Sequence, residues 1–256
     1  MQADITALIA PLLTDSISST ELLFLILTSA VTSFITAAMG IGGGVLLLAI
    51  MATILPPLAL IPIHGMVQLG SNANRMLMMW SHIHWPMVLH FFLGAIVGAL
   101  VASQVLVQLP VDWISRAVAL FILYMVWGPK PKKRAIAGYK TVFAGAITTL
   151  ITMFVGATGP LVAAFIHRMD RDKLSTAATF SASMSFQHFT KAVVFGAVGF
   201  SFSPWIIPIL LMVIAGSLGT WLGLKLLNRI PATYFKQSFA IIVTLLALRL
   251  LWQSFV

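Results

Sequence analysis

Arg75 and Lys191 are the residues whose setting most clearly calls for chemistry. Each stands inside an otherwise apolar segment, and an offset of 116 positions relates them. A cation within hydrocarbon costs at least ~2.5–3.5 kcal/mol on insertion scales, a cost that a mobile anion offsets when it binds. Snorkelling of both side chains to the membrane interface is the competing explanation, and their matched placement favours an anion site. Polar side chains cluster just ahead of each cation. Gln68, Ser71, Asn72 and Asn74 precede Arg75, with Ser71 at i−4 on the same helix face. Ser183, Gln187 and His188 precede Lys191, and Gln187 again stands at i−4. Neutral donors of this kind can replace an oxyanion's hydration shell as it leaves water. Singly, such residues also serve as hydrogen-bonding glue between transmembrane helices.

The same offset carries Gly40 onto Gly156. Each begins a break, Gly40-Ile-Gly-Gly-Gly44 in one half and Gly156-Ala-Thr-Gly-Pro160 in the other. A half-helix starting at Gly43 or Gly159 turns unpaired N–H groups and its positive dipole end toward the break. Gly42, Gly43, Gly44 and Gly159 are therefore candidate anion contacts together with Arg75, Lys191, Gln68, Ser71, Asn72, Gln187 and His188. A dinucleotide-binding reading of the first break fails, since no strand precedes it and no acidic ribose partner follows.

Other chemistries are poorly served. Asp4, Asp15, Glu21, Asp112, Asp170 and Asp172 all fall at segment ends or in loops, which disfavours a cation substrate and a carboxylate proton relay. No acid–base pair or nucleophile constellation suggests an enzyme. His64, His90 and His188 lie within spans, and His188 is the candidate for a substrate or proton role. His82 and His84, two apart, do not share a helix face and make a poor metal site. There is no cysteine, so thiolate chemistry and zinc–cysteine sites are excluded. No cofactor and no metal are expected.

The elements that must position these residues are membrane helices. Of the 256 residues 60% are hydrophobic and 8% charged, with a mean hydropathy of +1.03. A soluble domain carries about 25% charged residues, so a soluble enzyme is excluded, as is a disordered chain. The apolar runs are continuous rather than alternating, which excludes a β-barrel. The net charge of +9 does not indicate nucleic acid. Only Arg75 and Arg116 lie in the first 128 residues, while Lys130, Lys132, Lys133, Arg134 and Lys140 crowd one loop, as cytoplasmic loops of membrane proteins do. The first 20 residues hold no basic residue and do not resemble a signal peptide.

Apolar stretches run over about 22–39, 58–80, 86–108, 112–127, 139–155, 173–195, 204–227 and 235–254, near the ~20 residues a spanning helix needs. Gly43–Leu55 and Gly159–His167 are too short to span, and both read as the second limbs of hairpins with a glycine-rich tip inside the membrane. The breaks His84-Trp-Pro86 and Phe202-Ser-Pro204 correspond, as do the close-packing pairs Gly98-x-x-x-Ala102 and Gly219-x-x-x-Gly223. The expected fold is thus all-α and polytopic, with two inverted repeats, each a glycine-broken hairpin plus three transmembrane helices. Residues 1–21 form a short extracytoplasmic segment, 22–128 the first repeat, 129–138 a basic cytoplasmic linker and 139–256 the second repeat. An odd number of segments per repeat inverts the second and leaves both termini outside an inner (cell) membrane. Broken helices meeting near the midplane of inverted repeats are a secondary-transporter arrangement.

With these elements in place, the sequence resembles the sulfite exporter TauE/SafE family. The carriers are Gly40-Ile-Gly-Gly-Gly44, the run His64-Gly-Met-Val-Gln-Leu-Gly-Ser-Asn-Ala-Asn-Arg75, and Gln187-His188-x-x-Lys191-x-x-x-Phe195. One departure is Gly156-Ala-Thr-Gly-Pro160, less glycine-rich than the family's usual second motif. The resemblance implies a membrane transporter of small sulfur-containing anions, sulfite or organosulfonates among them, with export the usual direction. The expected partners are that anion and the lipid bilayer, not nucleic acid, and a homodimer is compatible with the pattern. The leading expectation is alternating access at a midplane anion site, and an anion channel with the same lining is the alternative.

Overall fold

The computed structural model describes residues 16–40, 42–106, 111–129, 138–166, 172–226 and 232–255. Within them the chain is helical: α1 Ser19–Met39, α2 Gly43–Met51, α3 Pro57–Met78, α4 Trp85–Leu106, α5 Val111–Trp127, α6 Tyr139–Val155, α7 Gly159–Ile166, α8 Lys173–Ala197, α9 Ile206–Lys225 and α10 Ala232–Gln253. Single 3₁₀ turns at Trp80–His82 and Ser203–Trp205 precede α4 and α9. The first five helices lie before the basic 129–138 stretch and the other five after it. Residues 130–137 and His167 lie outside the described residues.

Local chemistry sets the helix ends. Ser18 and Glu21 form a reciprocal capping box at the start of α1. Asp172 caps α8, accepting the Ser175 N–H at 2.8 Å. That bond holds its carboxyl below the usual carboxylate range. At the breaks, Gly40 and Gly156 take φ of +87° and +84°, a backbone region that L side chains avoid. Each donates its N–H to the carbonyl four residues back, Thr36 or Thr152, and ends its helix there. The chain restarts almost at once as α2 or α7.

The three helices long and apolar enough to cross a membrane, among the described residues, are Ser19–Met39, Trp85–Val105 and Ser203–Lys225. The shorter apolar helices include α6 and most of α5. Helices α3 and α8 have the length, at 22 and 25 residues, but polar residues fill their inward faces. On α1 the usual amphipathicity is reversed. Thr28, Ser29, Thr32, Ser33 and Thr36 are buried while Leu23, Phe24, Leu27 and Val31 are exposed, the pattern expected where the surrounding solvent is hydrocarbon.

At about 1.5 Å per residue, the nine-residue α2 is roughly half the length needed to span. It is enclosed by protein instead. Leu47, Leu48 and Met51 pack with Leu60, Ile63, Ile122 and Val243 in the largest apolar core. Helix α7 inserts Val162, Ala163 and Ile166 against Phe91, Ala95 and Met184. The long helices pair across the two halves. Helix α1 packs on α9, α6 on α4, α3 on α8, and α5 on α10. Backbones touch where glycines allow it. A Cβ on Gly219 would run into the Ala30 carbonyl, and one on Gly94 or Gly98 into the Val142 or Ala146 carbonyl. The small-residue positions read from the sequence thus lie at helix crossings.

Candidate functional site

Helices α3 and α8 cross at the centre of the molecule and carry the polar-to-cation runs. On α3, His64, Gln68, Asn72 and Arg75 follow one another at steps of four, four and three, a single helical stripe. All four are buried. The equivalent stripe on α8 is Phe180, Met184, His188 and Lys191, also buried. Between the stripes lies a pocket. Its lining takes Gly42, Gly44 and Val45 from the first tip and Ala157, Gly159 and Pro160 from the second. Thr36 adds a hydroxyl from α1, and His64, Gln68, Asn72, Phe180, Met184 and His188 complete the wall. Two helix N-termini and two helix faces therefore converge on one space.

Of the residues singled out from sequence, Gln68, Asn72, His188, Gly42, Gly44 and Gly159 line this pocket. His64 joins them. Its Nε2 lies 2.9 Å from the Gly44 carbonyl, and its ring meets that of His188 edge-on with centroids 6.2 Å apart. Nδ1 of each ring has no partner among the described residues. Asn72 Nδ2 donates to the Gln68 carbonyl and to Gln68 Oε1, at 2.8 and 3.2 Å. The Gln68 side chain is thereby held beside Gly44, where an added Cβ would come within 3.3 Å of Oε1.

Gly43, Ser71 and Gln187 lie off the pocket, and neither Arg75 nor Lys191 is part of its lining. Gly43 is pressed against α1, so that a Cβ there would strike the Thr32 carbonyl. Ser71 pairs with Ser33 at 3.0 Å. Gln187 spends its whole amide on the second half: Nε2 donates to Thr148 and Thr149 at 3.1 and 3.2 Å, and Oε1 accepts from Thr158 at 3.0 Å. These side chains tie α3 to α1, and α8 to α6 and the second tip.

Both cations are enclosed, Arg75 at 2% exposure and Lys191 at 0%, so neither reaches the interface by snorkelling. Lys191 lies behind the second tip, where Nζ donates to the Gly156 carbonyl at 2.6 Å and Thr152 Oγ1 at 3.0 Å. Its stem runs over Gly65, where a Cβ would come within 2.7 Å of Lys191 Cδ. Arg75 keeps Nε and Nη2 without partners among the described residues. The two carboxylates with described side chains, Glu21 and Asp172, are taken up at helix N-termini. Asp172 stands nineteen residues before Lys191, about 28 Å along the helix. Among the described residues neither charge has a carboxylate partner.

The threonines of α6, Gly65 and the pocket-lining His64, Phe180 and Met184 were not among the residues selected from the sequence. Thr148 and Thr152, at i and i+4 before the break, were the available signal. Hydroxyls on an apolar helix commonly bond their own backbone, as Thr148 does to the Ala144 carbonyl, and that habit hides a tertiary role. The predicted hydrogen-bonding glue and the predicted site residues are interleaved on the same helices.

Arg116 donates Nη2 to the Ser254 carbonyl at 2.8 Å and lies over the Phe255 ring at 4.4 Å. The carbonyls at the end of α10 account for its position.

No curated protein and no solved structure matches the chain. The family model described as "Sulfite exporter TauE/SafE" matches residues 25–250, a span that includes both tips, the α3 and α8 stripes and the pocket between them. The chain belongs to the sulfite exporter TauE/SafE family, membrane transporters of sulfur-containing anions such as sulfite.

Proposed function

We propose that the chain is a secondary carrier of a small sulfur-containing anion, working by alternating access at the pocket between the glycine tips. The observation that carries this is a pair of buried charges without counter-charges among the described residues: Arg75 one turn beyond Asn72 and Lys191 one turn beyond His188. In a low-dielectric interior such charges act strongly on their surroundings, and an anion in the adjacent pocket lowers the cost of both. Gln68 and His188 substitute for its water, with the N–H groups of Gly42, Gly44 and Gly159, while Asn72 donates to Gln68 and orients that amide beside the pocket. Ser71, Gln187 and Gly43 hold the walls in register from behind.

The packing favours two halves related by inversion. Exchange of each helix for its counterpart five places later turns α1–α9 into α6–α4, α3–α9 into α8–α4, and leaves α3–α8 and α5–α10 unchanged. The Ser33–Ser71 bond maps onto Thr149–Gln187 under the same exchange. A site built on the axis of such an arrangement can open to either side by rocking one half against the other.

The test is sulfite flux and counterflow in proteoliposomes. Wild-type protein should show saturable uptake stimulated by internal anion, and Arg75→Ala and Lys191→Ala should each lose at least about tenfold in rate, the equivalent of 1.4 kcal/mol. Full transport of every sulfur anion by both variants rejects these roles, and flux without counterflow makes the pocket part of a channel.

A further inference from the structure

The two walls of the pocket differ in chemistry although they occupy corresponding positions. His64, Gln68 and Asn72 form the α3 wall, and Phe180, Met184 and His188, each 116 residues later, form the α8 wall. Two of the three polar positions are thus replaced by large apolar groups. The tips differ in the same sense. At the first, Gly44 stands against the Gln68 amide, whereas a Cβ on Gly159 would meet Phe180 Cζ at 3.7 Å and Met184 Cε at 4.0 Å. Pro160, in the first turn of α7, has no N–H to offer. Asn72 spends both N–H groups on Gln68, so donors approach an occupant from the Gln68 amide and from His188, while Phe180, Met184, Ala157 and Pro160 present hydrocarbon, thioether or ring surface.

A fully hydrated inorganic oxyanion is badly matched to such a space. Its charge lies on oxygens that cover sulfate on every side and sulfite on all but its lone-pair face, and any oxygen facing Phe180 and Met184 would lose water without gaining donors, which is costly. An ion with one charged head and one apolar end suits both walls, as in most small-molecule sites, where a few polar groups orient a mainly apolar ligand.

We propose that Phe180 and Met184 are specificity-determining residues and that the pocket selects a monoanion bearing a short apolar substituent, of the alkanesulfonate class, over sulfite and sulfate. This rests on the carrier reading of the pocket given above. The head lies toward the Gln68 amide and His188, and the substituent lies against Phe180 and Met184.

Competition by methanesulfonate, ethanesulfonate, sulfite and sulfate for counterflow into proteoliposomes tests it, using the full chain as wild type, Met184→Gln and Met184→Leu. Wild type should prefer ethanesulfonate to sulfite by about tenfold or more, since one buried methylene in an apolar pocket is worth 10–200-fold. Met184→Gln should collapse that ratio, while Met184→Leu keeps it. Because the ratio is measured within each variant, a lower yield of folded protein does not imitate the effect. Equal or better use of sulfite by wild type, or a ratio indifferent to Met184→Gln, overturns the selectivity and leaves the carrier intact. Failure of wild type to move or bind any of the four anions overturns the carrier reading, and the selectivity falls with it.

Discussion

At the residue scale, Lys191 and Gln187 are close neighbours on α8 with different duties. Gln187 makes three buried bonds to threonines of α6 and the second tip, all neutral, and its removal leaves hydroxyls short of partners in a dry interior. Gln187→Leu should destabilise the protein by about 1–3 kcal/mol, read as a lower unfolding temperature of the purified protein. Lys191 is the opposite case. Its ammonium has two neutral acceptors and no carboxylate, and Thr152 also donates to the Gly156 carbonyl, so that carbonyl keeps a partner without the lysine. A buried charge held this way is expensive, and an apolar replacement of similar volume is often neutral or stabilising. Lys191→Met should therefore leave the unfolding temperature unchanged or raise it, yet abolish stabilisation by sulfite. A marked fall in stability with sulfite-induced stabilisation intact would make Lys191 a structural cap for the break and nothing more.

At the scale of elements, the breaks and the crossings depend on glycine for separate reasons. Gly156 needs its positive φ, and its absent Cβ also leaves room for Leu48, whose Cδ1 would lie 2.8 Å from an added Cβ. The crossings need backbone contact. An added Cβ at Gly94 or Gly219 would overlap a carbonyl of the partner helix, and only separation of the helices relieves the overlap. Gly94→Ala and Gly219→Ala should each cost about 1–3 kcal/mol, measured as loss of monodisperse protein on heating in detergent. Wild-type stability in both would show that close backbone approach at these crossings contributes nothing. The crossings were legible from small-xxx-small spacing, and the breaks from glycine clustering inside apolar stretches. The hydroxyl ladders on α1 and α6 were not, because Ser and Thr at these spacings read equally well as helix residues bonding their own backbone.

For the whole molecule, the proposed inverted arrangement makes a prediction about sidedness. The segment between α3 and α4 and the corresponding segment between α8 and α9 should face opposite sides of the membrane. The chain has no cysteine, so single replacements report without background. Ser81 and Ser201 are exposed in these segments. Ser81→Cys should react with an impermeant maleimide only from the cytoplasmic side, and Ser201→Cys only from outside. Labelling of both from one side would remove the inversion and the rocking mechanism built on it.

The amino-acid sequence alone determined the solvent, the order of the membrane segments, the two breaks and the two cations within apolar segments, whose burial the tertiary structure decided. Each of these follows from a local constraint: lipid accepts only apolar surface and closed backbone hydrogen bonding, and glycines clustered within a few residues interrupt a helix. Tertiary structure decided which polar groups remain available. Gln187 and Gln68 carry the same side chain, but threonines of α6, some 38 residues away, engage the first, while the second stands at the pocket with its Oε1 accepting from Asn72. It also brought Phe180 and Met184, which spacing reads as ordinary core, to the pocket wall. The reason is physical: a side chain's type is written in the chain, whereas its hydrogen-bond partners and the surface it faces come from helices that meet only when the two halves pack together.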